Sequence, residues 1–363
     1  MKLIDRAPLV LEARFLALLV MMMSATMAPL RLAAVRPASV FTDHMVLQRD
    51  MPVPVWGWAE PGEEVTVTFD QQSKSTVADQ DGKWQIALDP LKGSSQPTTL
   101  GIRSTNDDTL VELNDVVVGE VWICSGQSNM QMAATVTPEL KTLFEASSGI
   151  RSFTVRRTVA FTEQDECEGQ WAVAPPNSAV AFSFAHYLRQ DSDVPVGIIL
   201  SAWGSSSIEA WMPQDMTEQL PHLATIVGEF EADTTKKAQI QTALDRGTWS
   251  REEDILLRRQ SVLPYNAMMH PLVPYACQGL VWYQGERNTR CMTGMPEEPA
   301  YMRVSRASRN TTKPRSRGCV VIAKRGGGMI LNSSSSCYPA TEKSSTPGRP
   351  ETRKAPTPTL GRG

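Results

Sequence analysis

Three short, nearly continuous apolar runs constrain this chain more than any other feature. They are Val116–Val118 continuing into Val121–Cys124, then Val196–Leu200, then Leu280–Tyr283. Apolar runs of this length fit strands covered on both faces, as in a parallel sheet flanked by helices. Helix-like patterns at Ala179–Arg189 and Asp254–Val262 lie between them. Strands alternating with helices make α/β the expected class. In open sheets of this kind ligands bind beyond the carboxyl ends of the strands. The residues that follow each run are therefore where chemistry is expected.

The sequence ahead of Val116 has another rhythm. In Val65-Thr66-Val67-Thr68-Phe69 the apolar residues alternate, which places Val65, Val67 and Phe69 on one face of a strand, and Trp84, Ile86 and Leu88 form a second such set. Pro61-Gly62 and Asp81-Gly82 are turn signals between these segments. Residues 38–115 are accordingly expected to form a small all-β sandwich domain, with residues 116–288 as the α/β domain.

The first run ends in Ser125-Gly126-Gln127-Ser128-Asn129-Met130, the second in Ser201-Ala202-Trp203-Gly204-Ser205-Ser206, and the third in Gln284-Gly285-Glu286-Arg287-Asn288. Small residues let a substrate approach the backbone, and an amide or a backbone N–H can face a developing oxyanion. A serine on such a turn is a candidate nucleophile if a base reaches it. Each end taken singly is an ordinary turn, and Met130 breaks the G-x-S-x-G elbow pattern. Three such ends in chain order carry more weight than any one.

Val121–Met132, read as VWICSGQSNMQM, resembles the first block of the sialate O-acetylesterase family, serine hydrolases of the SGNH type that remove O-acetyl groups from sugars. Trp203–Trp211 is similar to the family's W-G-G-T-x-I-E-A-W block. Tyr265–Leu272 and Val281–Glu286 are similar to its Y-N-A-M-I-x-P-L and W-Y-Q-G-E segments, and Met45-Val46-Leu47-Gln48 to the start of its β-domain. The likeness spans roughly residues 38–288. It implies an SGNH-hydrolase-like parallel sheet and a carboxylic ester hydrolase acting on an acetylated carbohydrate. It also implies Ser128 as nucleophile and an oxyanion hole from the Ser128 N–H, the turn at Gly204-Ser205 and the Gln284 side chain. Glu286 is the possible supporting carboxylate. Glu209 and Trp211 are expected to be structural or substrate-lining. One departure is Ser205, which stands where the family has a second Gly. The family implies no metal, no organic cofactor and no nucleic-acid partner.

A serine nucleophile needs a general base, usually a histidine held by a carboxylate. In the family both come from a D-x-x-H-type block after the W-Y-Q-G-E strand. The histidines of this chain are His44, His186, His222 and His270, and its last Asp is Asp254. Of these His270 is the nearest to a candidate, although its Met-Met-His-Pro setting reads as a packing turn. Residues 287–363 carry 15 Lys+Arg against 4 Asp+Glu, or +11, whereas residues 1–286 carry −14. In the same stretch 34 of 77 residues are Gly, Pro, Ser or Thr, a composition that predicts a disordered, low-complexity tail over 289–363. A genuine basic extension and a frameshift near Arg287 that replaces the end of the catalytic domain are the two readings. The second is favoured, and the other two frames of the coding DNA decide it. Turnover is expected to be impaired, and a non-catalytic carbohydrate-binding or vestigial protein is the rival reading.

Ahead of the β region, Arg6 and Arg14 flank an uncharged run from Phe15 to Leu30, with small residues near Ala28 and Ala33-Ala34. Sixteen residues are short for a span, which needs about 20. Residues 1–34 therefore read as a secretory signal, with an uncleaved anchor as the alternative, and the mature chain as exported to periplasm or medium without a stable span. The six cysteines show no C-x-x-C pair and no metal spacing. A composition of 41% hydrophobic and 21% charged residues excludes a chain disordered throughout and a multi-span membrane protein.

Overall fold

A computed structural model describes residues 35–105, 110–290 and the backbone of 319–324. The export-signal reading of residues 1–34 falls outside the described residues. The β region comprises β1 (Arg36–Pro37), β2 (Val46–Gln48), β3 (Val53–Trp58), β4 (Glu64–Phe69), β5 (Gln72–Val77), β6 (Lys83–Leu88), β7 (Ser94–Ser104) and the start of β8 (Leu110–Gly126). Strands β1, β3 and β6 make one antiparallel sheet, while β5, β4, β7 and β8 follow one another in a second. Val65, Val67 and Phe69 are buried from β4, and Trp84, Ile86 and Leu88 from β6. The two alternating patterns thus supply the core of the all-β region, as their period of two requires.

Strand β8 then enters a second sheet without a break. Its residues Leu110–Val118 pair antiparallel with β7, Val117–Gly119 pair parallel with β2, and Glu120–Gly126 pair parallel with β11 (Val196–Ala202). At the point of exchange the Gln48 side chain accepts from the Val121 N–H at 2.7 Å, and Arg49 pairs with Glu120 at 2.7 Å. These contacts satisfy polar groups that the change of partner would otherwise leave bare.

Between β8 and β11 lie α1 (Pro138–Ala146), β9 (Ile150–Thr154), β10 (Trp171–Ala172) and α2 (Ala179–Gln190). After β11 come a 3-10 turn at Ile208–Trp211, α3 (Gln214–Glu218), α4 (Pro221–Ala232), α5 (Thr234–Arg246), α6 (Arg251–Leu257), α7 (Leu263–Met268), β12 (Gly279–Gln284) and α8 (Glu286–Arg290). Strand β11 is parallel to β9 on one side and to β8 on the other, and β12 is parallel to β8. All seven residues of β11 are buried, as expected of a strand covered on both faces. The chain leaves β8 toward β9 and β11 and returns to its other edge as β12, so the strand order reverses at β8. That is where an open α/β sheet leaves a crevice.

Helix α2 runs over Ala179–Gln190, matching the sequence pattern, and starts at Ser178, whose hydroxyl accepts from the Ala181 N–H. The pattern at Asp254–Val262 is corrected. A capping box between Ser250 and Glu253 starts α6 at Arg251, and the helix ends at Leu257. Val262 has φ of 68°, which an α-helix cannot include. The tail is amended at one place. Cys319–Lys324 forms β13, antiparallel to β12, because Val320–Ala323 is an apolar run and β12 offers an unpaired edge. The rest of the expected disorder lies outside the described residues.

One polar cluster ties the two sheets together. Asp115 Oδ2 lies 2.7 Å from His44 Nδ1, and Arg151 on β9 donates to Asp115 Oδ1 and to the His44 carbonyl, each at 2.9 Å. Burial pushes the Asp115 carboxyl up, but the hydrogen bonds of His44 and Arg151 outweigh it and hold the group below its ordinary value. A depressed carboxylate stabilises the fold above its unfolded value, and that contribution is lost as pH falls through the folded one. Asp115 has φ of 54°, a left-handed conformation that asparagine also accepts, and we expect Asp115→Asn to lower unfolding stability at pH 7 by about 1–2 kcal/mol. The gap to the wild type should close below about pH 4 in urea titrations, and a gap independent of pH would refute the role of the charge.

Candidate active site

Ser128 is exposed on the turn that follows β8. The chain turns there because Gly126 adopts φ of 137°, and a Cβ at that position would sit 2.1 Å from the Tyr283 carbonyl oxygen. Only glycine fits both conditions. The next N–H, from Gln127, donates to that same oxygen at 3.0 Å. The nucleophile candidate is therefore set by contact between the ends of β8 and β12.

The end of β11 comes to the same place. Trp203 N–H donates to the Gly126 carbonyl at 3.0 Å. A Cβ built on Gly204 would lie 3.5 Å from both Cα and Cβ of Ser128. The fold thus brings Gly204 against Ser128, and Ser205 follows with φ of 60°. That left-handed conformation is where the family has glycine, and serine holds it at a cost of about 1–2 kcal/mol. Trp203 anchors the turn from below, with its ring stacked on Trp249 and its Nε1–H donating to Asp254 at 3.1 Å.

Gln284 is buried at the end of β12. Its Nε2 donates to Asn288 Oδ1 at 2.6 Å and stands 3.3 Å from both Gln127 Oε1 and the Ser206 carbonyl. The two amide hydrogens already face protein acceptors. Glu286 accepts from the Asn129 side chain, next to the nucleophile candidate. Glu209 accepts from Asn288 Nδ2 at 2.9 Å and so serves the scaffold, while Trp211 donates to Ser206 Oγ at 2.7 Å.

Side-chain amides stitch the three strand ends pairwise. Gln131 joins the first end to the second, accepting from Gly204 N–H and donating to the Ala202 carbonyl. Asn129 joins the first to the third through Glu286. Asn288 joins the third to the second, accepting from Ile208 N–H at 3.0 Å as well as from Gln284. Gln131 and Asn288 were not singled out from the sequence. Their only signal there is position, a few residues beyond a buried strand in the same blocks as Ser128 and Glu286.

Residues 118–298 match the family model of the carbohydrate esterase, sialic acid-specific acetylesterase. They belong to that family. The chain is 31% identical over 291 residues to the sialate O-acetylesterase of Rattus norvegicus, covering 70% of this chain and 52% of that protein. For the sialate O-acetylesterase of Homo sapiens the identity is 28% over 285 residues, covering 72% and 50%. Among solved structures, a carbohydrate acetylesterase from Xanthomonas citri superposes with a TM-score of 0.55 at 29% identity, covering 70% of this chain and 52% of that one. The chain spans about half the length of the curated relatives it matches. The mixed sheet with its helices is similar in fold to that carbohydrate acetylesterase, and an antiparallel all-β region precedes it in this chain.

The described histidine side chains bond to groups other than Ser128. His44 is paired with Asp115, eleven residues before Gly126 on β8, or roughly 35 Å at strand rise. His186 sits on α2 with Nε2 3.0 Å from Gln190 Nε2. His270 places Nδ1 2.8 Å from the Gln164 carbonyl and Nε2 3.2 Å from Glu163, which makes it a packing residue of the family's Y-N-A-M segment. The side chain of His222 falls outside the described residues. Among the described residues no His, Cys, Asp and Glu group has metal-site geometry. Burial pushes the Cys124 thiol well up and that of Cys167 up to about 11, so neither supplies a thiolate nucleophile at neutral pH.

Two substitutions test this construction. Ser205→Gly removes the left-handed strain and should stabilise the fold by about 1 kcal/mol, raising Tm by about 2–4 °C. No gain would mean that the serine backbone is unstrained. Asn288→Ala strands Gln284, Ile208 N–H and Glu209 together, and should cost about 2–3 kcal/mol in denaturant unfolding. A loss under about 0.5 kcal/mol would show that water replaces it.

Proposed function

We propose that this chain is a serine esterase that removes O-acetyl groups from sugars, with Ser128 as its nucleophile. The observation that carries the reading is the convergence of three strand ends on one exposed serine, with Gly204 packed against it. Ser128 Oγ attacks the acetyl carbon, and the tetrahedral intermediate expels the sugar oxygen, which takes up a proton. Water then cleaves the acetyl-serine and releases acetate. The Ser128 N–H and the Gly204-Ser205 turn face the developing oxyanion. Gln284 joins them by giving up one of its two 3.3 Å contacts for a charged acceptor. Glu286, fixed by Asn129, supports the Ser128 turn.

The reaction is impaired in this reading. The hydrogen bonds of His44, His186 and His270 are made to groups other than Ser128, and residues 287–363 contain no Asp or His. The proton of Ser128 then leaves to water, and what remains is catalysis by binding and oxyanion stabilisation, on the order of 10³–10⁴-fold over water. The apolar run Phe15–Leu30 supports export of the chain, and the sequence of 289–363 supports a replaced catalytic block.

Hydrolysis of 4-nitrophenyl acetate and of an O-acetylated sugar by the purified chain is the deciding measurement. We expect slow release of acetate that disappears in Ser128→Ala. Equal rates in the two proteins would remove Ser128 as nucleophile and leave carbohydrate binding without turnover.

A further inference from the structure

We propose that Asp254 is a positioning residue of this esterase site, acting through Trp203 to hold the Gly204-Ser205 turn against Ser128. The inference rests on the esterase reading above, leaves that turn its place at the oxyanion, and adds a residue behind it. Trp203 is fully buried and joins the second strand end to the first, since its N–H donates to the Gly126 carbonyl at 3.0 Å. Its carbonyl closes the turn, accepting from Ser206 Oγ at 2.7 Å and from the Ser206 N–H at 3.3 Å. The backbone of Gly204 and Ser205 is therefore carried by Trp203, and whatever fixes Trp203 fixes them.

An indole has one polar atom, its Nε1–H, and when buried that group needs an acceptor. Asp254 Oδ1 supplies it at 3.1 Å, from 51 residues along the chain. The carboxylate is itself held, because Oδ2 accepts from Arg258 Nη1 at 2.7 Å one turn further on, with both side chains mostly screened from solvent. Trp249 gives a second constraint. Its ring stacks on that of Trp203 with centroids 5.6 Å apart and planes inclined by 24°, and its own Nε1–H donates to the Ala243 carbonyl at 3.1 Å. Stacking limits motion across the ring plane but leaves the Trp203 ring free to slide within it. A hydrogen bond at one edge of the ring removes that slide, since it weakens steeply when bent. Asp254 thus carries the position of α6 to the turn that packs on the nucleophile candidate, where a small misplacement of the reacting groups lowers the rate.

Asp254→Ala, Asp254→Asn, Arg258→Met and Trp203→Phe, with Ser128→Ala as the zero, test the assignment on the full chain. Each is assayed for kcat and KM with 4-nitrophenyl acetate, and the Trp203 indole N–H is followed by hydrogen exchange in 15N-tryptophan-labelled protein. Expected for Asp254→Ala are a fall in kcat of about tenfold with KM within about twofold, and indole exchange at Trp203 about tenfold faster. Asp254→Asn keeps an oxygen acceptor for the indole and should recover kcat to within about threefold of the wild type. Arg258→Met removes the ion pair, leaves Asp254 on the indole, and should also stay within about threefold. Trp203→Phe keeps a ring but loses the N–H, so it should lower kcat as Asp254→Ala does, and adding Asp254→Ala to it should lower kcat no further. That pair carries the test if Asp254→Ala alone does not fold. Equal losses in Asp254→Ala and Arg258→Met, no recovery in Asp254→Asn, additive losses in the double variant, or unchanged exchange at Trp203 overturns the proposal. Wild-type protein without Ser128-dependent turnover overturns the esterase reading alone, because the exchange measurement still decides whether Asp254 holds the Trp203 indole.

Discussion

One strand of seventeen residues carries the organisation of this protein. β8 is an antiparallel member of the all-β region in its first half and the central parallel strand of the α/β sheet in its second. A strand shared in this way cannot slip in one sheet without slipping in the other, since a one-residue shift would turn every buried side chain outward. The Gln48 and Arg49 contacts at the exchange of partners, and the His44–Asp115–Arg151 cluster below it, hold the register from the side. The position of Ser128 follows from this constraint, because it lies two residues past the end of β8.

The site itself is assembled by polar side chains rather than by apolar packing. Amides from Gln131, Asn129 and Asn288 each cross from one strand end to another, and each satisfies backbone or side-chain groups that the turns leave over. A half-buried network of this kind is specific because every member depends on the others.

The all-β region and the parallel sheet were legible from period and length alone. Val65, Val67 and Phe69 bury as a set because strand side chains alternate, and β11 buries throughout because α2 packs on one face while Val46 and Trp171 meet the other at Gly197. The short helix over 251–257 was misjudged, since apolar spacing continued past Leu257 while the capping box lay upstream at Ser250. The strand at Cys319–Lys324 was missed because six residues inside a Gly-, Ser- and Pro-rich tail carry too little pattern to stand out. Gln131 and Asn288 gave no signal beyond their place in the blocks, because a glutamine or an asparagine acquires a role only when its partners arrive from distant segments.

The sequence by itself determined the class of fold, the three strand ends and the resemblance that makes Ser128 the candidate nucleophile. Local spacing is enough for these, since burial period and turn chemistry are properties of adjacent residues. It also determined that no histidine follows His270. Only the tertiary structure decided that Gly204 packs on Ser128, that Gln131 holds the Gly204 N–H, and that His44 and His270 are bound to partners other than the nucleophile. Those are contacts across 70 residues or more, and their geometry depends on how β8, β11 and β12 lie side by side.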